Sequence, residues 1–448
     1  MTENRPWTPT SWQALPAAQQ PVYPDTEALT RDLDELASLP PLVTSWEIEA
    51  LREQFAAAER GERFVLQGGD CAESFDDCRP TTITNRLKVL LQMSLVLVHG
   101  IEKPITRVGR FAGQYAKPRS ADTETRDGES LPSYRGDLVN APEFTPAARH
   151  PDPRRMLEGH AKSAMTMNFV RGLIDGGFAD LHHPEYWSLD WVSRSASSDR
   201  YRQIVESIGH GVRFMESLAG RNMADLNRVD FFTSHEALLL FYEQAQTRRV
   251  PRHEGWYNLS THFPWIGVRT ADPGGAHVEF CRGLRNPVGV KVGPNSDPAQ
   301  VVTVCERLNP ERESGKLVLI HRMGATRAAD SLPPVLEAVQ RSGIPALWIC
   351  DPMHGNTRAT ANGYKTRSFD DILSEIRDSI AAHRACGTRL GGVHLELTGE
   401  DVTECIGGAS DLKEADLARA YRTQVDPRLN YEQSLELAME LTGLLGKA

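Results

Sequence analysis

Val288–Val292, which reads Val-Gly-Val-Lys-Val, is a short β-rich run of the kind that decides the fold of this chain. Amphipathic segments separate it from similar runs on either side, and this alternation is typical of a parallel sheet covered by helices. Eight such runs are predicted as strands, at residues 63–66, 105–109, 230–233, 262–267, 288–292, 317–321, 346–350 and 392–397. Eight strands, each followed by a helix, favour a (β/α)8 barrel over a doubly wound sheet, because a closed barrel leaves no sheet edge exposed.

Apolar residues recur with helical spacing between the predicted strands. After the seventh strand, Phe369, Ile372, Ile376 and Ile380 follow one another at intervals of three or four residues, and Ser368 stands at the expected N-cap position. Such a segment predicts a helix with one apolar face that covers the sheet. We therefore predict an α/β fold of the TIM-barrel type.

Two stretches exceed a minimal barrel of roughly 250 residues. Residues 1–62 are rich in proline around one helical pattern at 26–39, and we predict an N-terminal extension that serves oligomer contacts or regulation. The catalytic barrel is predicted to span 63–448 and to carry a helical insertion at about 178–227, after the second barrel helix at 153–176. We expect the two additions to bury one another or a subunit interface, with a regulatory site as the alternative.

Charge and composition exclude several classes of protein. The chain of 448 residues carries 60 acidic and 50 basic side chains, a formal net charge of −10. A mildly acidic protein lacks the broad cationic surface that binds nucleic acid or anionic membranes, so neither partner is expected. The longest apolar run, residues 89–98, is too short to cross a bilayer, and no secretory signal is visible. Seven scattered cysteines argue against a disulfide framework and for a reducing cytoplasm.

Strand alternation places two charged side chains inside the predicted barrel. Val290 and Val292 share the face that packs against helices, so Lys291 points into the lumen. In the last strand, the same alternation turns Glu396 inward and Leu395 outward. An unpaired buried charge is costly, which implies a charged partner, a metal or an anionic ligand. For Lys291 the alternative is an ion pair with a barrel carboxylate.

Reactive side chains recur where the predicted strands end. The catalytic groups of (β/α)8 enzymes lie at the carboxyl ends of the strands, so these residues should meet at one mouth of the barrel. Six cations able to hold phosphate or carboxylate are expected there: Arg110, Lys117, Arg119, Arg269, Lys291 and Arg322. Four further residues offer sulfur, nitrogen and oxygen ligands: Cys71, His354, Glu396 and Asp426. This ligand set suits manganese, cobalt, iron or zinc, and the two sets together predict an active site.

Longer motifs in the same segments resemble those of the type II 3-deoxy-D-arabino-heptulosonate 7-phosphate (DAHP) synthases. The similar segments run along nearly the whole chain, at residues 19–25, 68–73, 116–120, 351–357 and 426–430. The resemblance implies a transferase that condenses phosphoenolpyruvate with erythrose 4-phosphate and water, giving DAHP and phosphate. That reaction is the first step of the shikimate pathway to chorismate and the aromatic amino acids.

The resemblance also implies roles for individual residues. The divalent metal would be held by Cys71, His354, Glu396 and Asp426, with Mn²⁺ or Co²⁺ expected before Zn²⁺ or Fe²⁺. Phosphoenolpyruvate would be held by Arg110, Arg269, Lys291 and Arg322. Erythrose 4-phosphate would be held by Lys117, Arg119 and Ser120. The residues expected to take part in the chemistry itself are Lys117, Cys71 and His354.

Two positions depart from the family pattern. Val268 stands where the family commonly has Glu, so a carboxylate near the phosphoenolpyruvate site is missing, although Arg269 is retained. Val425 stands where some members carry a second cysteine. The resemblance further implies a homo-oligomer (dimer or tetramer), feedback inhibition by an aromatic amino acid such as tryptophan, and association with chorismate mutase.

Two other functions stay open on the sequence. A metal-dependent aldolase acting on another phosphosugar would need the same metal and phosphate grips, but six clustered cations favour two anion sites. A catalytically idle barrel would serve as a regulatory scaffold, and the complete set of metal ligands argues against it.

Overall fold

A closed barrel of parallel strands forms the centre of the computed structural model, which describes residues 6–176, 199, 201–204, 206 and 230–446. Within these residues the barrel has eight strands: β1 (Phe64–Gly69), β2 (Ile105–Arg110), β3 (Phe232–Glu236), β4 (Phe263–Ile266), β5 (Val288–Val292), β6 (Leu317–His321), β7 (Leu347–Cys350) and β8 (Leu390–Glu396). Each strand pairs in parallel with the next along the chain, and β8 closes the barrel against β1. The predicted (β/α)8 architecture is therefore confirmed.

Helices surround the barrel and follow its strands. The described helices are α1 (Thr26–Ser38), α2 (Ser45–Glu59), α3 (Pro80–Ile101), α4 (Pro146–Arg149), α5 (Arg155–Asp175), α6 (Leu240–Ala245), α7 (Ala276–Arg282), α8 (Pro298–Leu308), α9 (Ala328–Ser342), α10 (Phe369–Ala385) and α11 (Tyr431–Leu445). Ser368 caps α10 as predicted, because its side chain accepts the backbone N–H of Asp371 at 3.4 Å. In the described part of the chain, no helix is long and apolar enough to span a membrane.

The prediction of a single helical pattern in the N-terminal extension was wrong. A second helix, α2, begins with a capping box in which Thr44 and Glu47 exchange hydrogen bonds. Leu51 and Phe55 on this helix are completely buried and pack against inward-facing residues at the amino-terminal end of the barrel, such as Val65. This helix closes the bottom of the barrel, where prolines in the sequence suggested only an arm. The domain boundary at residue 62 stays a prediction, and most of the predicted insertion at 178–227 lies outside the described residues.

The inward and outward faces of the strands follow the predicted alternation. Val290 and Val292 pack in the layer between strands and helices, whereas Lys291 and Glu396 face the lumen near its carboxyl-terminal mouth. Gly69, at the end of β1, pairs in register with both Glu396 and Arg110. Its φ is +150°, and a Cβ there would lie 2.7 Å from the carbonyl oxygen of Arg110, so only glycine fits between these neighbours.

Candidate active site

A cavity of about 350 Å³ opens at the carboxyl ends of the barrel strands. All six predicted cations line it: Arg110, Lys117, Arg119, Arg269, Lys291 and Arg322. Cys71, His354 and Asp426 lie on the same wall, and Ser120 lies at the rim. The structure thus brings together residues that span more than three hundred positions of the sequence, at the mouth where (β/α)8 enzymes hold their catalytic groups.

The four predicted metal ligands converge on one point. Ligand atoms of Cys71, His354, Glu396 and Asp426 all lie within 4.8 Å of one another. Nε2 of His354 is 2.9 Å from Oε1 of Glu396, and Sγ of Cys71 is 3.7 Å from Oδ2 of Asp426. One sulfur, one nitrogen and two carboxylates at this separation fit a divalent transition metal. The residues present therefore suit the divalent metal that the resemblance implies.

Lys117 lies inside this ligand cluster. Its ammonium group donates to Sγ of Cys71 at 2.8 Å and to Oδ2 of Asp426 at 2.5 Å. Burial lowers the pKa of Lys117, but Cys71 and Asp426 outweigh that effect and raise it. Burial and the charge of Glu396 raise the pKa of the Cys71 thiol, so a bound cation is needed to stabilise the thiolate. Lys365, on a hairpin after β7, also reaches Asp426, with Nζ 2.8 Å from Oδ1.

His354 is oriented by a buried carboxylate. Its Nδ1 is 2.8 Å from Oδ2 of Asp351, which turns Nε2 toward Glu396. A carboxylate behind a ligating imidazole fixes the ring orientation and strengthens the ligand. Burial raises the pKa of Asp351, yet His354 and Lys291 hold it well below its usual range. The ion pair between Lys291 and Asp351 is the barrel-carboxylate pairing considered for Lys291 from the sequence alone.

Two cations form the floor of the cavity. Arg110 is buried and donates to Oε1 of Glu396 at 3.1 Å, and its guanidinium lies 5.2 Å from the ring of Trp265. The ammonium of Lys291 approaches the same ring at 5.9 Å. Burial lowers the pKa of Lys291 to about 8, with a further contribution from the nearby Arg110. Positive charge is thus held on buried side chains, where its attraction for anions is strong.

The remaining cations lie higher in the cavity. Arg322 donates to the backbone carbonyl of His354. Arg269 is exposed and donates to the hydroxyl of Ser120 at 2.9 Å, while Arg119 donates to Glu124 at 2.8 Å. The floor and the rim therefore offer positive charge at two levels, which is the arrangement expected for two anionic groups.

Glu236 and Arg367 are among the charged residues of the site that were missed from the sequence. Glu236 ends β3, and it lies beyond the strand predicted at 230–233, so it was not considered as a site residue. Burial raises its pKa against the charge of Lys291, and within the described residues its Oε1 accepts no hydrogen bond. Arg367, which is completely buried, pairs with Oε2 of Glu396 at 2.7 Å. Glu236 belongs to the strand because β3 continues to pair with β4 up to that residue. No local sequence signal identifies Arg367 as a site residue.

Val268 lines the cavity, and the residue is 39% exposed. The carboxylate that the family commonly has at this position is absent, but Glu236 supplies one in the same cavity. A Cβ on Gly267 would come within 2.1 Å of Oε1 of Glu236, so the glycine leaves room for that carboxylate.

A (β/α)8 barrel with a cluster of metal-type ligands beside a cationic cavity has the features of a metal-dependent enzyme that acts on phosphorylated substrates. The sequence model of the Class-II DAHP synthetase family matches residues 7–442, and the chain belongs to this family.

Relatives from three organisms carry the name phospho-2-dehydro-3-deoxyheptonate aldolase. The protein from Streptomyces coelicolor is 49% identical over 441 residues, which cover 98% of each chain. The protein from Neurospora crassa is 45% identical, with 98% of this chain and 94% of the relative covered. The protein from Mycolicibacterium smegmatis is 44% identical, with coverage of 96% and 93%.

Proposed function

We propose that this protein condenses phosphoenolpyruvate with erythrose 4-phosphate and water to give DAHP and phosphate, the first step of the shikimate pathway. Family membership over residues 7–442 and the names of the relatives support this activity. The observation that carries it is the placement of the four-ligand cluster against a cavity lined by all six predicted cations. A phosphosugar aldolase or an idle scaffold has no comparable support, because the family match favours the synthase.

The metal site is proposed to be Cys71, His354, Glu396 and Asp426, with Mn²⁺ or Co²⁺ as the expected ion. A divalent cation bound there would supply Lewis-acid polarisation of the aldehyde carbonyl. Arg367 and Asp351 hold two of the ligands, Glu396 and His354, from behind. Such supporting contacts fix the ligands before the cation binds.

Phosphoenolpyruvate is proposed to bind between the floor and the middle of the cavity. Arg110 and Lys291 on the floor, with Arg269 and Arg322 above them, offer the positive charge that its carboxylate and phosphate require. These cations would also offset the repulsion between phosphoenolpyruvate and erythrose 4-phosphate, two multiply charged anions that must approach each other closely.

Erythrose 4-phosphate is proposed to bind nearer the rim. Arg119 and Ser120 suit its phosphate, and the hydrogen bond from Arg269 to Ser120 brings a further cation to the same place. Lys117 keeps its proton at Nζ beside Asp426, where it can donate to the aldehyde oxygen as the new carbon–carbon bond forms. Departure of phosphate from the other substrate follows after water has added to its second carbon.

Assembly and regulation are proposed on the family resemblance alone. These are a dimer or tetramer, inhibition by an aromatic amino acid such as tryptophan, and association with chorismate mutase. A cytoplasmic location is part of the same proposal, since all seven cysteines, each in the described part of the chain, are free thiols suited to a reducing compartment.

One assay tests the activity. Purified protein is mixed with Mn²⁺, phosphoenolpyruvate and erythrose 4-phosphate, and loss of the enol absorbance is followed with and without a chelator. We expect consumption only when both the aldehyde and the metal are present. Consumption with a different aldehyde but not erythrose 4-phosphate would favour the aldolase, and no turnover with any divalent metal would favour the scaffold.

A further inference from the structure

Glu375 is a buried carboxylate outside the barrel lumen. It lies on α10 and is completely inaccessible to solvent, between that helix and the strands β6 and β7. None of the roles proposed above uses it. A buried carboxylate must be compensated by hydrogen bonds or charges, so the partners of Glu375 indicate which part of the structure it holds in place.

The two oxygens of Glu375 bind two different active-site loops. Oε1 accepts the backbone N–H of Met323 at 2.7 Å, and Oε2 accepts Nδ2 of Asn356 at 2.8 Å. Met323 directly follows Arg322, and Asn356 stands two residues after His354. A single carboxylate therefore connects the loop that carries Arg322, proposed to bind phosphoenolpyruvate, with the loop that carries His354, a proposed metal ligand.

Asn356 continues the connection in one defined orientation. Its Oδ1 accepts the backbone N–H of Ala325 at 2.9 Å, and its Nδ2 also donates to the carbonyl of Pro352 at 2.8 Å. The loops also meet directly, because Arg322 donates to the carbonyl of His354. Rotating the Asn356 amide by 180° would place its NH₂ against an N–H donor and its oxygen against acceptors, so the network permits only one arrangement.

Close backbone packing makes the two loops one unit. Gly324 has φ of +84°, and a Cβ there would lie 3.0 Å from the carbonyl oxygen of Gly355. A Cβ on Gly355 would come within 2.4 Å of the nitrogen of Gly324. With the backbones in contact, a shift of one loop displaces the other.

A cation site at Glu375 is less consistent with its contacts than a structural link between the two loops. Ligand atoms of His321, Cys350 and Glu375 do lie within 4.8 Å of one another, and all three residues are buried. However, both oxygens of Glu375 already accept N–H groups from the loops. A cation would have to compete with those donors, whereas a structural link uses them as they stand.

We propose that Glu375 is a positioning residue that sets the relative placement of Arg322 and His354. Through it, binding of phosphoenolpyruvate and binding of the metal depend on the same hydrogen bonds. This inference rests on the proposed function for the roles of those two residues.

The central variant is Glu375→Gln, which keeps the side-chain volume but replaces one oxygen with an NH₂ group. The oxygen of the new amide can still accept from Met323, but its NH₂ group then faces the NH₂ group of Asn356, so two donors meet. We expect the dissociation constants of both Mn²⁺ and phosphoenolpyruvate to rise about tenfold, the lower end of the effect seen for groups that support metal ligands. Both constants are measured by calorimetric titration of the whole protein, which requires no turnover.

The double variant Glu375→Gln with Asn356→Asp reverses the polarity of the pair. The aspartate can accept both from the new amide and from Ala325, but it loses the hydrogen bond to the carbonyl of Pro352, so we expect both constants to return only part of the way to their wild-type values. Asp378→Asn, on the same helix, is the control and should leave both constants unchanged. Asn356→Ala, at a half-buried loop position, tests the same link should Glu375→Gln fold poorly, and it should weaken both ligands.

Separate outcomes distinguish this inference from the proposed function. A lower melting temperature with unchanged affinities would reduce Glu375 to a stabilising role and overturn the inference. Weakening of only one ligand, or a double variant no better than the single one, would also overturn it. Absence of condensation activity in the wild type would contradict the proposed function, while the two affinities would still decide whether Glu375 positions the loops.

Discussion

Replacing Arg367 with methionine should destabilise the protein through the charge left on Glu396. Both side chains are completely buried, and Nη1 of Arg367 lies 2.7 Å from Oε2 of Glu396. The same guanidinium donates to the carbonyl of Pro427, next to the proposed ligand Asp426. Burial alone raises the pKa of Glu396, and His354 and Arg367 hold it well below its usual range. Removing this cation therefore leaves a buried carboxylate poorly compensated.

The size of the effect follows from the burial of the pair. Loss of one partner of a buried ion pair costs about 3–5 kcal/mol. Arg110 and His354 stay close to Oε1 of Glu396, so we expect a value near the lower end, about 3 kcal/mol. With an unfolding entropy of about 0.9 kcal/mol/K for 448 residues, this corresponds to a melting temperature lower by about 3 °C.

The assay is thermal unfolding in the presence of a chelator, so that metal binding does not contribute. Arg422→Met is the matched control, because Arg422 pairs with Glu400 at the same 2.7 Å but its side chain is 62% exposed. That surface pair should contribute less than about 1 kcal/mol, or roughly 1 °C. Adding Glu396→Gln to Arg367→Met should recover part of the loss, because the uncompensated charge is removed. Equal shifts for the buried and exposed pairs, or no recovery in the double variant, would refute the reasoning.

Three further predictions concern the proposed metal ligand, the proposed substrate grip and a buried lysine. Cys71→Ala should abolish Mn²⁺-dependent turnover and weaken Mn²⁺ binding in a titration. Cys78→Ala, outside the ligand cluster, is the control and should change neither. Full activity of Cys71→Ala would contradict the proposed metal site. Arg322→Ala should raise the KM for phosphoenolpyruvate by about tenfold or more, the usual effect of losing a hydrogen bond to a charged group, and raise the KM for erythrose 4-phosphate less. Steady-state kinetics that show equal changes would count against that assignment. Burial, with the charges of neighbouring arginines, lowers the pKa of Lys316 to about 7, and its amine donates to two backbone carbonyls. The unfolded lysine keeps its proton up to a pKa near 10.5, so between pH 7 and pH 10 only the unfolded state carries this proton. The stability of the wild type relative to Lys316→Met should therefore increase as the pH is raised from 7 to 10. A difference in melting temperature that is independent of pH would contradict this prediction.

Local pattern was sufficient for most of the barrel. The strands at 288–292 and 317–321 were predicted with the observed bounds, because each is a β-rich run that ends at a polar loop. Alternation along these strands also placed Lys291 and Glu396 in the lumen, since successive side chains of a strand must face opposite sides. The same reasoning brought the four ligands and the six cations to one mouth.

Local pattern failed where polar residues belong to regular structure. His235 and Glu236 look like loop residues, yet they extend β3 because they pair with Pro264 and Trp265 of β4. The helix α2 was missed because nearby prolines suggested an irregular arm, although the capping pair Thr44 and Glu47 was a usable signal. In both cases contact with the barrel decides the conformation.

The sequence by itself determined the barrel, the face on which each strand residue lies, and the kinds of ligand at the strand ends. Those properties depend on residue order over a few positions and on the geometry of a strand. Only the tertiary structure decided which charges compensate one another, such as Lys291 with Asp351 and Arg367 with Glu396. The cost of burying a charge depends on its distance from partners that are far away along the chain, and no local pattern records that distance.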